Sequence, residues 1–416
     1  MNSEQILELP YLNGVYIAVD ALRGCYLIVD GPYCVFTKAE MQYCHNLRCT
    51  LLPHRGHARV VHTAAESKRE EVAGAALDRT QLVEKVFEQV CAQQDAQVIL
   101  AVSFDFHQLL NFPLQAMAAR FGERTGKQVW SLPERSLGGS WLDGYGLACE
   151  TLARFLPLRA GQGRADRVAI VGYLFDRDEP DHHGNLQELR RLLSLIGLEV
   201  SSVWLSGGTC QELLAAEQAG WVLSFPHARG AANLVASRLG IPRIDVDLPL
   251  GLSATARWLQ TIANQVGRAS EGEAVVRTEV AAAIKDTRAH VLRIVRGNLA
   301  RVQSTDPCLK AALEDFCQDV GLRVTPAEVS SEILELRCHE LLFSPTLCDT
   351  DPKTIHIPIG YPNYVEHPVG LSPTLGFAGF RGMVDRISSA ILRFEASTRQ
   401  RTALERAASA RNPPDA

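Results

Sequence analysis

The residues with the most chemical potential in this 416-residue chain are its eleven cysteines. They include no CxxC pair, and the densest run is Cys25, Cys34, Cys44 and Cys49, the last two flanking His45 in YCHNLRC. Thiolates and imidazoles are the donors of zinc and iron–sulfur centres, but this spacing is neither a zinc nor a ferredoxin signature. A second set of donors, Asp176, Asp178, Glu179, Asp181, His182 and His183, falls in DRDEPDHHG; a loop of this kind can bind a divalent cation and is more often solvated surface. Two glycine-containing segments can bind anions or cap helices. One is SGGT, Ser206 to Thr209; the other is GGSWLDGYG, whose Gly138, Gly139, Ser140, Trp141 and Asp143 either line a substrate cavity or open a helix. The chain has no nucleophile elbow, P-loop or dinucleotide fingerprint.

These donors must be held by a scaffold, and the sequence pattern describes one. Short apolar runs ending in Gly, Pro or Ser alternate with longer helical patterns, as in parallel sheets with crossover helices. CYLIVDGP, QVILAVS and VWSLP read as strands of a first unit, with a helix over 82–90 and another over 143–155. VAIVGYLF, VSSVWLS, WVLSFP and GIPRIDVDLP read as a second, with a helix over 186–196 that Gly197 stops. A mostly helical stretch over 253–290, interrupted at GRASEGEA, leads to a third and less regular unit. There HVLRIVRG is either a strand or a helix end, followed by a helix over 308–320, strands ELLFSP and TIHIPIG, and a closing helix over 379–394. The expected boundaries are 1–160, 161–268 and 269–400, with a disordered tail over 401–416 ending in ARNPPDA.

Composition narrows the function. With 46% hydrophobic and 21% charged residues the chain is an ordinary globular protein, and a net charge of −5 gives no footprint for nucleic acid. No apolar run approaches the roughly 18 residues of a membrane span. The acidic start MNSEQ is unlike a secretory signal, so a cytoplasmic protein is expected and its cysteines are read as thiols rather than disulfides.

Four segments carry a resemblance to the nitrogenase component 1 family. LNGVYIAVDALRGCYLIVDGPYC is similar to the family's opening helix, strand and HGPxGC turn, with Cys34 at the cluster-cysteine position. LGGSWLDGYGLACETL resembles its glycine loop and following helix. The run from VGYLF to SGGTCQEL, continued by AANLVASRLGIPRIDVDLPLGLSATARWLQTIA, resembles its second unit, and GYPNYVEHPVGLSPTLGFAGFRGMVDRISSAIL its closing segment. The resemblance implies an α/β fold of three Rossmann-like subdomains with parallel sheets, the third shortened. It also implies a second component 1-type subunit, in a hetero-oligomer or homodimer, and electrons from an ATP-dependent iron–sulfur reductase protein.

The family's full pattern places three cysteines per subunit on an interfacial cluster. Here LELPYLNG stands where the first is expected and Phe104, Asp105 or Phe106 near the third, leaving Cys34. In the protochlorophyllide reductase one subunit gives three thiolates and the other a single ligand. By resemblance this chain is the one-ligand subunit, with Gly31 beside Cys34 and a [4Fe-4S] cluster shared with its partner. The alternative is a cluster-free scaffold or metallocofactor carrier of the same fold. Cys25 reads as a core residue. No molybdenum cofactor is expected, because LSFPHARG puts Ser224, Phe225 or His227 where that site needs a cysteine. Ser140, Trp141, His227 and His367 are the candidate substrate-pocket residues.

Overall fold

The computed structural model describes residues 9–31, 59–63, 79–104, 112–133, 139–161, 163–174, 180–325, 338–345, 354–361, 363 and 370–411. Helix α1 (Tyr11–Asp20) leads through β1 (Leu22–Arg23) into a first parallel sheet of β2 (Cys25–Asp30), β3 (Val60–His62), β4 (Val98–Ser103) and β5 (Gln128–Ser131), ordered β3-β2-β4-β5. Every residue of the two central strands is buried, which is why they read as unbroken apolar runs rather than alternating ones. On α2 (Thr80–Cys91), Val83, Val86, Phe87 and Val90 fall at helical spacing and face Met117, Ala118 and Phe121 of α3 (Leu114–Thr125). Rings of Phe87 and Phe121 meet at a centroid distance of 5.1 Å.

After α4 (Trp141–Phe155) comes a second parallel sheet, made of β6 (Arg164–Val171), β7 (Glu199–Val203), β9 (Ala219–Ser224) and β10 (Arg243–Asp245) in the order β10-β9-β6-β7. In sequence, α5 (Pro180–Leu195) lies between β6 and β7, α6 (Cys210–Leu214) between β7 and β9, and α7 (Arg229–Leu239) between β9 and β10. The SGGT segment forms a turn whose last two residues, β8 (Gly208–Thr209), pair in parallel with β1. Thr209 and Glu212 then close a capping box on α6.

Helices α8 (Leu252–Gln265) and α9 (Ala269–His290) precede the third sheet. GRASEGEA therefore breaks the helical run only between Gln265 and Ala269. HVLRIVRG is resolved as a helix end: α9 widens into a π-type turn at Val291–Val295, and the strand follows as β11 (Leu299–Val302). With β12 (Arg323–Val324), β13 (Glu340–Ser344) and β14 (Thr354–Pro358) it forms a parallel sheet ordered β12-β11-β13-β14, with α10 (Pro307–Asp319) between β11 and β12. The registers place Ala300, Leu341 and Ile355 side by side, then Val302, Phe343 and Ile357, on one apolar face. Arg301, Leu342 and His356 share the other, with Glu340, Ser344 and Thr354. This period-2 polarity is what makes the third unit look irregular beside the first two. Closing helix α11 runs Gly376–Arg411, well past Phe394.

Contacts gather into two compact units, Leu7–Glu179 with Gly197–Asp247, and Pro180–Ile196 with Leu248–Ala416. Within the second, α5 begins at Pro180, six residues before Leu186, so His182 lies in its first turn. Its side chain is fully buried (0% exposed), against the solvated loop expected at DRDEPDHHG. Asn185 one turn on accepts the N–H groups of Thr374 (2.8 Å) and Leu375 (2.9 Å), and Glu188 accepts that of Ala378 (3.1 Å), supplying acceptors to the open N-terminus of α11.

Candidate functional site

The three four-stranded sheets share one strand order, in which the winding reverses between the first and third strands in sequence. Such switch points open crevices at strand carboxyl ends. In the first sheet that point lies between β2 and β4. Asp30, the last residue of β2, is fully buried, and its carboxylate accepts from Thr63 Oγ1 at 2.6 Å and from the Arg79 guanidinium through Nη2 and Nη1, the latter at 3.3 Å. Arg79 Nη2 also donates to Thr63 Oγ1 at 3.0 Å, and the Phe104 N–H donates to the Asp30 carbonyl at 2.8 Å. A buried carboxylate is tolerated only with such compensation. The network ties the ends of β2, β3 and β4 to the residue that precedes α2, so the chain leaves the sheet at Gly31 from a fixed point.

Helix α4 follows β5, so its N-terminus lies on the carboxyl side of this sheet. That of α1 is joined to it by an antiparallel bridge between Pro10 and Ser140. The Tyr11 N–H donates to the Gly139 carbonyl and the Trp141 N–H to the Leu9 carbonyl, both at 3.1 Å. Ser140 caps α4 in a capping box: the Asp143 carboxylate accepts its N–H at 2.7 Å and its Oγ at 3.0 Å. Past this point the helices touch backbone to backbone. A Cβ on Gly14 would fall 1.6 Å from the Trp141 carbonyl oxygen, and one on Gly144 would fall 1.9 Å from that of Tyr11. Tyr11 is 2% exposed, and its hydroxyl has no hydrogen-bond partner among the described residues. Burial first, then the charge of Asp143, pushes that phenol above its ordinary pKa.

At the second sheet's switch point, between β6 and β9, Ser224 ends β9 and His227 sits buried in the short turn Pro226–Ala228 that opens α7. The turn is fixed by Arg229, which donates to the Ser224 carbonyl at 3.0 Å and the Val246 carbonyl at 3.1 Å. Tyr145 of α4 donates to the Tyr173 carbonyl at 2.7 Å, tying the helix opened by Ser140 to the loop after β6.

The sequence-derived candidates distribute accordingly. Gly31 is buried immediately after β2, Ser140 is a helix cap, Trp141 is buried in the first turn of α4, and His227 lies at the second sheet's edge. Cys34, Cys44, Cys49, His45 and His367 lie outside the described residues. Cys25 stands at the amino end of β2, away from Gly31, and burial pushes its thiol up to about 12, as suits a core cysteine. Among the described residues no group of three or more His, Cys, Asp or Glu could hold a metal ion. Sequence reasoning missed Asp30, Thr63, Arg79 and Tyr11. A signal existed for Asp30, a charge closing an otherwise apolar buried strand; its partners come from 33 and 49 residues away and carried none.

Three successive four-stranded parallel sheets of one strand order define a repeated doubly wound α/β protein. Residues 13–337 match the nitrogenase component 1 type oxidoreductase family, and the chain belongs to it, as the four segments imply. A solved structure described as nitrogenase Cp1 at pH 6.5 is similar over 94% of this chain and 94% of its own length, with TM-score 0.73 and 14% identity. Another, nitrogenase Cp1 at pH 5, is similar over 85% of this chain and 69% of its own, with TM-score 0.56 and 15% identity. At these identities the likeness is one of fold, and it agrees with the α/β architecture expected from the sequence. No curated protein matches the chain significantly. No helix among the described residues is long and apolar enough to cross a membrane.

Proposed function

We propose that this chain is the one-ligand subunit of a nitrogenase-like multi-electron reductase. Cys34 would hold one corner of an iron–sulfur cluster, most simply a [4Fe-4S] cluster, shared with a second component 1-type subunit that supplies the other thiolates. An ATP-dependent iron–sulfur reductase protein would feed it. When bound, the cluster supplies one-electron transfer at a potential set by its ligands, burial and hydrogen bonds.

The observation that carries this reading is the pairing of Phe104 with Asp30 at the first sheet's switch point. It brings the end of β2, which precedes Cys34 in the sequence, to Phe104, the first of the three positions (Phe104, Asp105 or Phe106) near which the resemblance expects the third cysteine and the sequence has no thiol. What the described residues offer at this edge is shape and donors rather than thiolates. Asp30, Thr63 and Arg79 hold the point from which the chain departs toward Cys34, while Leu9, Tyr11 and Trp141 are buried and exclude water. Ser140, Trp141, His227 and His367 remain the pocket residues of this proposal, with Ser140 and Trp141 acting through the placement of α4.

The test is iron and acid-labile sulfide content, with the EPR spectrum of the reduced state, on the anaerobically purified complex of this chain and its partner subunit. Iron present in the wild type and lost in Cys34→Ala is expected. A folded complex without iron overturns the proposal and leaves a cluster-free scaffold or carrier, the reading that the loss of two of the family's three ligand positions favours.

A further inference from the structure

The closing helix α11 runs on beyond what it packs against. It buries Phe377, Phe380, Met383, Ile387 and Ile391, and its last partner outside the helix among the described residues is His339, met by Phe394 and Glu395. The helix continues to Arg411. Over 396–404 every residue is exposed, and the hydroxyls of Ser397, Thr398 and Thr402 donate to carbonyls of their own helix, those of Phe394 (2.8 and 3.0 Å) and Thr398 (3.0 Å). Residues 396–411 hold Arg399, Arg401, Arg406 and Arg411 against Glu405 alone, a net charge of +3; since the whole chain carries −5, its other residues carry −8. A basic helical arm about 24 Å long therefore belongs to an otherwise acidic chain. Sharp helix kinks form at proline or glycine, and 383–411 contains neither, so the arm has no hinge by which to fold back on its own chain.

We propose that the arm of one copy docks on the acidic surface of a second copy of this chain, and that the exchange of two arms makes a salt-dependent homodimer. Opposite charges on two parts of one sequence make it complementary to itself, and a contact in which each copy gives an arm and receives one closes with two-fold symmetry. Arm-to-arm pairing is disfavoured because both arms are basic. Exposed charges attract over a Debye length of about 10 Å at 0.1 M salt, so the contact strengthens as salt is lowered. A membrane surface fits the arm less well, because the only large apolar side chain in 396–411 is Leu404 and the segment has no aromatic residue to insert. Nucleic acid also fits less well, because the rest of the chain would repel it. The contact is independent of the cluster and of the subunit proposed to complete it.

The experiment is light scattering and sedimentation of the full chain, purified alone, at about 50 and about 500 mM salt. Wild type is expected to be a dimer at the lower salt and a monomer at the higher. Arg399→Glu combined with Arg401→Glu turns the arm from +3 to −1 and is expected to weaken the dimer about tenfold or more. Its thermal midpoint at the higher salt is expected to stay that of wild type, since among the described residues neither side chain has a partner outside α11. A wild type that is monomeric at the lower salt overturns the proposal, and so does a variant that dimerises as tightly as wild type. A lowered midpoint in the variant overturns it too, by showing that the arm packs on its own chain. A monomeric wild type captured by phosphatidylserine vesicles or duplex DNA at the lower salt overturns it in favour of those occupants.

Discussion

Asp30 and Arg79 show at the scale of single residues how the first sheet's edge is held. The pair is buried on both sides, so removing the cation alone takes the opposing charge from a carboxylate held in a low dielectric. Arg79→Met is expected to cost about 3–5 kcal/mol in chemical denaturation, and the double variant Asp30→Asn with Arg79→Met to recover a large part of that loss. A near-zero effect of the single variant would mean that the pair carries no weight. Asp30 was legible as an oddity in its strand. Arg79 was not, because nothing local distinguishes it from the chain's other arginines and its partner lies 49 residues back. Cys25 was legible as core, since a thiol opening the run CYLIVD has little choice but burial.

Elements are joined by similar long-range contacts. In the second compact unit, Arg191 of α5 bridges Glu188 on its own helix (2.7 Å) and Glu279 of α9 (2.8 Å), while Glu188 also accepts from the start of α11. The hydrogen bond from Arg191 holds the Glu279 carboxyl below its usual pKa. A carboxyl depressed in the folded state contributes stability above its unfolded value, near 4.5, and that contribution disappears as pH falls through the lower folded value. Glu279→Gln is therefore expected to lower the thermal midpoint at pH 7, with the gap from wild type closing as the pH is taken below 4.5; a gap independent of pH would mean that the ion pair is not its source. That helices stand at these places was readable from periodicity, but not the length of α11, which continues past Phe394 to Arg411. The early start of α5 was not, because proline, aspartate and two histidines look solvated until the fold buries His182 and Asn185.

At the scale of the whole molecule, one thiolate cannot hold a cluster that needs four ligands, so the proposed function makes the chain incomplete by itself. The chain expressed alone is expected to fold without iron, and iron is expected to appear only on co-expression with a second component 1-type subunit. Stoichiometric iron in the chain alone would contradict the one-ligand assignment. The repeated strand order of the three sheets is the feature that makes the family legible from so few identities. What selection must keep is the burial of parallel strands and the short turns at their carboxyl ends, and many apolar sequences satisfy both.

The sequence by itself determined the alternation of strand and helix, the apolar central strands, the stop at Gly197 and the family, because each is written in local periodicity, turn chemistry or a contiguous motif. Only the tertiary structure decided which side chains satisfy one another. Thr63 and Arg79 converge on Asp30, Asn185 caps a helix 190 residues on, and Gly14 and Gly144 let two backbones touch. The physical reason is that periodicity records which face of an element is buried. The partner of a buried polar group is set by the packing of elements distant in the chain.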